Sequence, residues 1–193
     1  MKTQLFSLLL FLPVLGFAQT SGADTTANFS TDYRSTTGAS QYPEAEIDVP
    51  PTTDALQATL YELTDEYYAV HQLHWNITGP LFISLHELYE EIYTGLAEQI
   101  DAVAERKLAL NEAADDRPAA VAENSDLTPA TPEGFVTDKR SLEIVAARHK
   151  QLSDNLAERI TATGETDLVT QDLLIAVKYM VDHQLYKVRS FMK

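Results

Sequence analysis

The segment 82–111, FISLHELYEEIYTGLAEQIDAVAERKLALN, carries the longest unbroken period in the chain and decides how the rest is read. Leu85, Leu88, Ile92, Leu96, Ile100 and Val103 recur at steps of three and four, the spacing of one face of an α-helix. On a wheel of about 100° per residue, His86, Glu90, Asp101 and Glu105 fall on the opposite side, with Thr94 and Ala97 between them. Small residues flanked by potential ligands suit a face that another helix crosses closely, although a solvated polar face would read the same way.

Working outward, Gly79-Pro80 separates this helix from an earlier one marked by Leu56, Leu60, Leu63, Tyr67 and Val70, whose next step lands on His74. Downstream, Pro118, Pro129 and Pro132 make 112–133 a crossover with room for a short helix around 119–123. Leu142, Val145, His149, Leu152, Leu156 and Ile160 write a third helix, which Gly164 ends. A fourth runs from about Thr166 with Leu174, Val177, Val181, Leu185, Val188 and Met192 on its buried stripe. No strand-period segment of any length competes. The expected fold is all-α: a ferritin-like four-helix bundle with a long crossover, carrying a short helix, between helices 2 and 3.

The chain's 193 residues suit one domain, placed at 54–193. Lys2, the apolar run from Leu5 to Phe17 and the small residues Gly16 and Ala18 read as a signal peptide over 1–18. Residues 19–53, rich in Ser, Thr, Gly, Asp and Pro, read as a flexible tail with Arg34 its only basic residue. No later stretch reaches about 18 uninterrupted apolar residues, so no membrane association is expected. The expected location is the periplasm or the extracellular space.

The chain has no cysteine, so any metal must be held by imidazole and carboxylate. Acidic residues outnumber basic ones by 29 to 14, a formal charge of -15, which repels nucleic acid and anionic lipid. His74 and His86 flank one short turn and can approach a single site. Asp101 lies fifteen residues beyond His86, roughly 22 Å along a helix, and cannot join them within one chain. A second copy running antiparallel across a two-fold axis could bring Asp101 and Glu105 to the two imidazoles. Such a set of nitrogen and oxygen donors suits ferrous iron, zinc or manganese, and Glu90 could add an outer donor. A diiron centre inside one bundle needs Glu-x-x-His. The residues three before the five histidines are Tyr68, His71, Ile83, Ala146 and Met180, so that arrangement is not expected.

The string His74-Trp75-Asn76-Ile77-Thr78-Gly79-Pro80, then Phe82, then Leu85-His86-Glu87-Leu88, followed by Ile100-Asp101-Ala102-Val103-Ala104-Glu105-Arg106, resembles the signature of the Dps family, the miniferritins. Weaker similarity continues through Thr128-Pro129 and into 167–174, so that the resemblance covers roughly 54–190. It implies a dodecameric homo-oligomeric shell with ferroxidase sites at its two-fold interfaces, using His74 and His86 of one subunit and Asp101 and Glu105 of its neighbour. Family members commonly carry Asp where this chain has Glu90. Trp75 would absorb stray oxidising equivalents, packing being its alternative role. Ferrous iron would be oxidised by hydrogen peroxide, or by dioxygen, and stored as ferric mineral, with protection against oxidative stress as the outcome. Asp167 and Asp172 would line ion-entry pores, or else supply negative charge at a helix N-terminus.

His71, His149 and His183 are read as structural, His71 alternatively as a support for the metal ligands. DNA binding is not expected, because Arg34 alone opposes the acidic tail and Lys187, Arg189 and Lys193 form only a thin patch. A passive shell holding zinc is the competing function, with zinc otherwise a competitor for the iron site.

Overall fold

The computed structural model describes residues 49–193. The 1–18 leader and most of the 19–53 tail lie outside the described residues. Four long helices make the bundle: α1 (Val49–Asn76), α2 (Phe82–Ala109), α4 (Asp138–Thr163) and α5 (Leu168–Ser190), with the short α3 (Pro118–Asn124) in the crossover. Helices α1 and α2 pack as one hairpin, α4 and α5 as another, and the hairpins face each other across the core. Among the described residues, no helix is long and apolar enough to cross a membrane.

The apolar stripes meet in this core. Leu56, Leu60, Leu63 and Val70 of α1 join Leu85, Ile92, Leu96 and Val103 of α2, Val145, Leu152 and Leu156 of α4, and Leu174, Val177, Val181 and Val188 of α5. Each such side chain removed from water contributes about 1.5–3 kcal/mol, which is what turns four amphipathic patterns into one bundle. Met192, assigned to the buried stripe of the last helix, lies beyond the end of α5 and is exposed, because the helical register stops before it.

Helix ends follow local chemistry. Asn111 takes φ 61°, its N–H donates to the Leu108 carbonyl, and the Glu112 N–H donates to the Lys107 carbonyl. This left-handed cap ends α2 at Ala109, two residues before the boundary read from periodicity. Thr137 caps α4 by accepting from the Arg140 N–H, and Pro118 opens α3 where its missing N–H is no loss.

One expectation is corrected, and one small feature is added to the all-α fold. Helix α1 begins at Val49, so the end of the stretch read as a flexible tail is helical. Thr52 and Thr53 are buried there, and polar residues carry no apolar period to read. A minimal sheet also exists: β1 (Ile77–Thr78) pairs in parallel with β2 (Val136–Thr137). Two residues per strand are too few to show alternation, yet this pairing fastens the α1–α2 turn to the start of α4.

A buried polar network crosses the bundle. Glu66 accepts from Arg148 Nε at 2.6 Å and from His149 Nδ1 at 2.9 Å, while His149 Nε2 meets the Gln184 side-chain oxygen at 3.1 Å. Arg148 also donates to the carbonyls of Leu127 and Pro129 and to Asp65, tying the crossover to the core. His149 therefore has the structural role read for it. Burial alone would raise the Glu66 carboxyl, but the hydrogen bond and charge of His149, with those of Arg148, hold it below the ordinary carboxylate range.

Candidate metal centre

The last turn of α1 and the first turns of α2 bring His74 and His86 together. Gly79, at φ 128°, makes the reversal possible. A Cβ there would lie 2.6 Å from Asp138 Oδ2, and that carboxylate accepts from the Leu81 N–H at 3.3 Å. The turn is thus closed by glycine, by the β1–β2 pair and by the first residue of α4.

Within it the two histidines exchange hydrogen bonds. His74 Nδ1 lies 2.8 Å from the His86 carbonyl, and His86 Nδ1 lies 2.9 Å from the His74 carbonyl. A carbonyl can only accept, so both Nδ1 atoms carry the hydrogen. With Nδ1 so engaged, Nε2 is the nitrogen each ring has for a metal. The rings stack with centroids 3.7 Å apart and planes inclined by 16°, with Phe82 against His86 at 5.2 Å. His74 is buried and His86 partly so, which restricts them to few rotamers.

An aromatic cluster backs the pair. Tyr93 meets His74 edge-on at 5.3 Å, and His71 lies 4.3 Å from Tyr93 and 4.1 Å from Trp75. Burial and the neighbouring His74 push His71 below the ordinary histidine range. Trp75 is 60% exposed on the subunit, so core packing does not account for it.

The carboxylates are elsewhere. Glu90, Thr94, Ala97, Asp101 and Glu105 form one exposed stripe along α2, and the unbroken helix keeps Asp101 and Glu105 far from His86. Among the described residues, no three potential ligands gather in one chain. The histidine end of the stripe holds two nitrogen donors with Glu90 one turn away; the other end holds two oxygen donors.

Of the two residues read as pore candidates, Asp172 is exposed on the first turns of α5, whereas Asp167 is buried. Asp167 caps α5 through the Thr170 N–H at 3.0 Å and accepts from Arg106 at 2.9 Å on both oxygens. Burial opposes its ionisation, but hydrogen bonds from Thr170 and the Arg106 guanidinium hold its carboxyl below the usual range. Its geometry is that of the helix-terminus alternative.

Sequence reading passed over Tyr93 and Tyr67 as parts of this region. The available signal was the run of ring-bearing residues Tyr67, His71, His74 and Trp75 at helical spacing on α1. It was obscured because Tyr67 also belongs to the apolar stripe.

The bundle and its crossover define a protein of the ferritin-like class, and residues 53–193 match the model of the Ferritin-like domain. Within that class, the chain is 30% identical over 146 residues to DNA protection during starvation protein 2 of Deinococcus radiodurans, a match covering 76% of this chain and 60% of that protein. It is 32% identical over 124 residues to the DNA protection during starvation protein of Listeria monocytogenes, covering 64% of this chain and 80% of the relative. Among solved structures, Dps92 of Deinococcus radiodurans superposes with a TM-score of 0.74 at 29% identity, over 76% of this chain and 88% of that one. The chain belongs to the Dps family.

Proposed function

We propose that this protein is an exported ferroxidase and iron store that assembles as a homo-dodecamer and oxidises ferrous iron at sites shared between subunits. His74 and His86 of one copy supply imidazole nitrogens, Asp101 and Glu105 of a two-fold-related copy supply carboxylates, and Glu90 adds an oxygen donor. The observation that carries this reading is the reciprocal histidine pair, whose hydrogen bonds leave both Nε2 atoms as acceptors beside a helix face whose carboxylates cannot reach them in the same chain. Two imidazoles with two or three carboxylates form a borderline donor set suited to ferrous iron, and zinc would compete for it.

Peroxide accepts two electrons, so one molecule oxidises two ferrous ions to ferric without releasing hydroxyl radical. The ferric product would be held as mineral inside the shell, with Asp172 a candidate for the ion path. Trp75, next to a ligand and exposed on the subunit, is placed to take up an unpaired oxidising equivalent. Protection against oxidative stress follows from consuming iron and peroxide together. Location in the periplasm or extracellular space rests on the apolar leader, and the acidic sequence disfavours DNA as a partner despite the relatives' names.

Anaerobic addition of ferrous iron followed by peroxide tests the reading. One peroxide should disappear for every two ferrous ions, with the ferric product remaining soluble inside a particle of shell size. A protein that binds iron or zinc but consumes no peroxide, and oxidises no iron in air, would be the passive shell instead.

A further inference from the structure

A line of rings leads from the histidine pair toward the subunit surface. Tyr93, 5.3 Å from His74, lies 5.9 Å from Tyr67, and Tyr67 lies 5.5 Å from Tyr68, centroid to centroid. Tyr68 is 51% exposed. His71 lies between Tyr93 and Trp75, tilted against both rings, so the tryptophan joins the same line. The two ring contacts along the tyrosines are edge-on, at 89° and 72°. Core packing requires none of this to continue outward, because Tyr68 lies off the buried stripe of α1.

We infer that Tyr93, Tyr67 and Tyr68 form a relay that carries an oxidising equivalent from the metal centre to the surface at Tyr68. The inference rests on the peroxide-dependent ferroxidase reading. When a single ferrous ion meets peroxide, iron provides one electron and the second must come from protein. Peroxide's O–O bond breaks, taking one electron from the ferrous ion and one electron with its proton from the Tyr93 phenol. With one further proton from solvent, the products are one ferric ion, two water molecules and a neutral phenoxyl radical on Tyr93. Tyr67 then returns an electron and a proton to Tyr93, and Tyr68 does the same for Tyr67. Tunnelling falls off exponentially with distance, so short ring-to-ring steps are fast where one jump from centre to surface is slow. At Tyr68 a second ferrous ion from solution supplies the electron and solvent a proton, restoring the phenol and giving a second ferric ion. Both electrons thus come from iron even when only one ion occupies the centre.

The test mixes the assembled full-length protein, carrying less than one ferrous ion per centre, with peroxide and freezes it within milliseconds for electron paramagnetic resonance. A tyrosyl signal should form, and should narrow when the protein is grown with ring-deuterated tyrosine. Tyr93→Phe should abolish it and raise hydroxyl-radical spin adducts. Tyr68→Phe should prolong it, because the exit is blocked. Tyr179→Phe, an exposed tyrosine on α5 outside the line, should change nothing. Ferric iron forming with no tyrosyl signal, or a signal that survives Tyr93→Phe, Tyr67→Phe and Tyr68→Phe together, would overturn the relay. If the unaltered protein oxidises no iron with peroxide, the ferroxidase reading fails first and the relay with it.

Discussion

His74 and His86 hold each other: each ring's Nδ1–H donates to the other's backbone carbonyl, at 2.8 and 2.9 Å. One pair of bonds sets two tautomers and two ring orientations, and it couples the end of α1 to the start of α2. Ligand geometry and the α1–α2 turn are therefore one structural unit, and a change in either should be felt by both.

The division of ligands between copies predicts complementation. His86→Ala and Asp101→Ala should each abolish rapid ferrous oxidation. Subunits of the two variants, unfolded together and co-assembled, should recover about a quarter of the sites, since half the two-fold pairs are mixed and each mixed pair has one intact centre. Stopped-flow iron oxidation measures this, and no recovery from a well-formed mixed shell would place the ligands within one chain.

Gly79→Ala should loosen the histidine pair from outside it. Its φ of 128° and a Cβ 2.6 Å from Asp138 Oδ2 combine backbone strain with a clash, at about 1–3 kcal/mol for the backbone alone. Gly134, at φ 75° with open space around it, provides the comparison. Thermal unfolding should fall further for Gly79→Ala than for Gly134→Ala, and calorimetric titration with zinc should weaken only in the former.

Arg148→Met should destabilise the fold by about 3–5 kcal/mol, because it leaves the buried Glu66 carboxylate with the His149 contact but without its guanidinium partner. Adding Glu66→Gln removes the stranded charge and should restore part of the loss. Denaturant unfolding of the single and double variants reads the difference, and equal stabilities would mean that Arg148 is not what offsets the burial of Glu66.

Acid should unfold the protein through Glu66 and Asp167. Both carboxyls lie below their ordinary values of 4.5 and 3.8 in the fold, so each contributes stability that is fully present above those values and lost as pH falls through the lowered ones. Melting temperature should therefore drop as pH falls from about 4.5 downward, and Glu66→Gln should flatten that slope. A pH-independent melting temperature over this window would rule out the assignment.

Duplex DNA should not be retained at physiological salt. Among the described residues, Arg106, Arg117, Arg140, Arg148, Lys150, Arg159, Lys178 and Lys187 are paired with carboxylates, leaving few basic groups to neutralise phosphate. A gel-shift assay at that salt should show no retarded band.

Much of this molecule was legible in one dimension, because burial of an amphipathic helix needs only a period. The four helices, the crossover with its short helix, the Gly79-Pro80 turn and the separation of His86 from Asp101 all follow from spacing and fixed helical rise. The tertiary structure alone decided the rest. That Nδ1 of His74 faces the carbonyl of His86, that Asp167 both caps α5 and accepts from Arg106 of α2, and that Tyr93 lies between His74 and Tyr67 depend on contacts that helical spacing does not encode. Periodicity records which side of a helix is apolar, but it carries no information about which neighbour that side meets. It could not show Thr52 and Thr53 buried in the first turns of α1, nor a ladder of two residues per strand holding the turn in place.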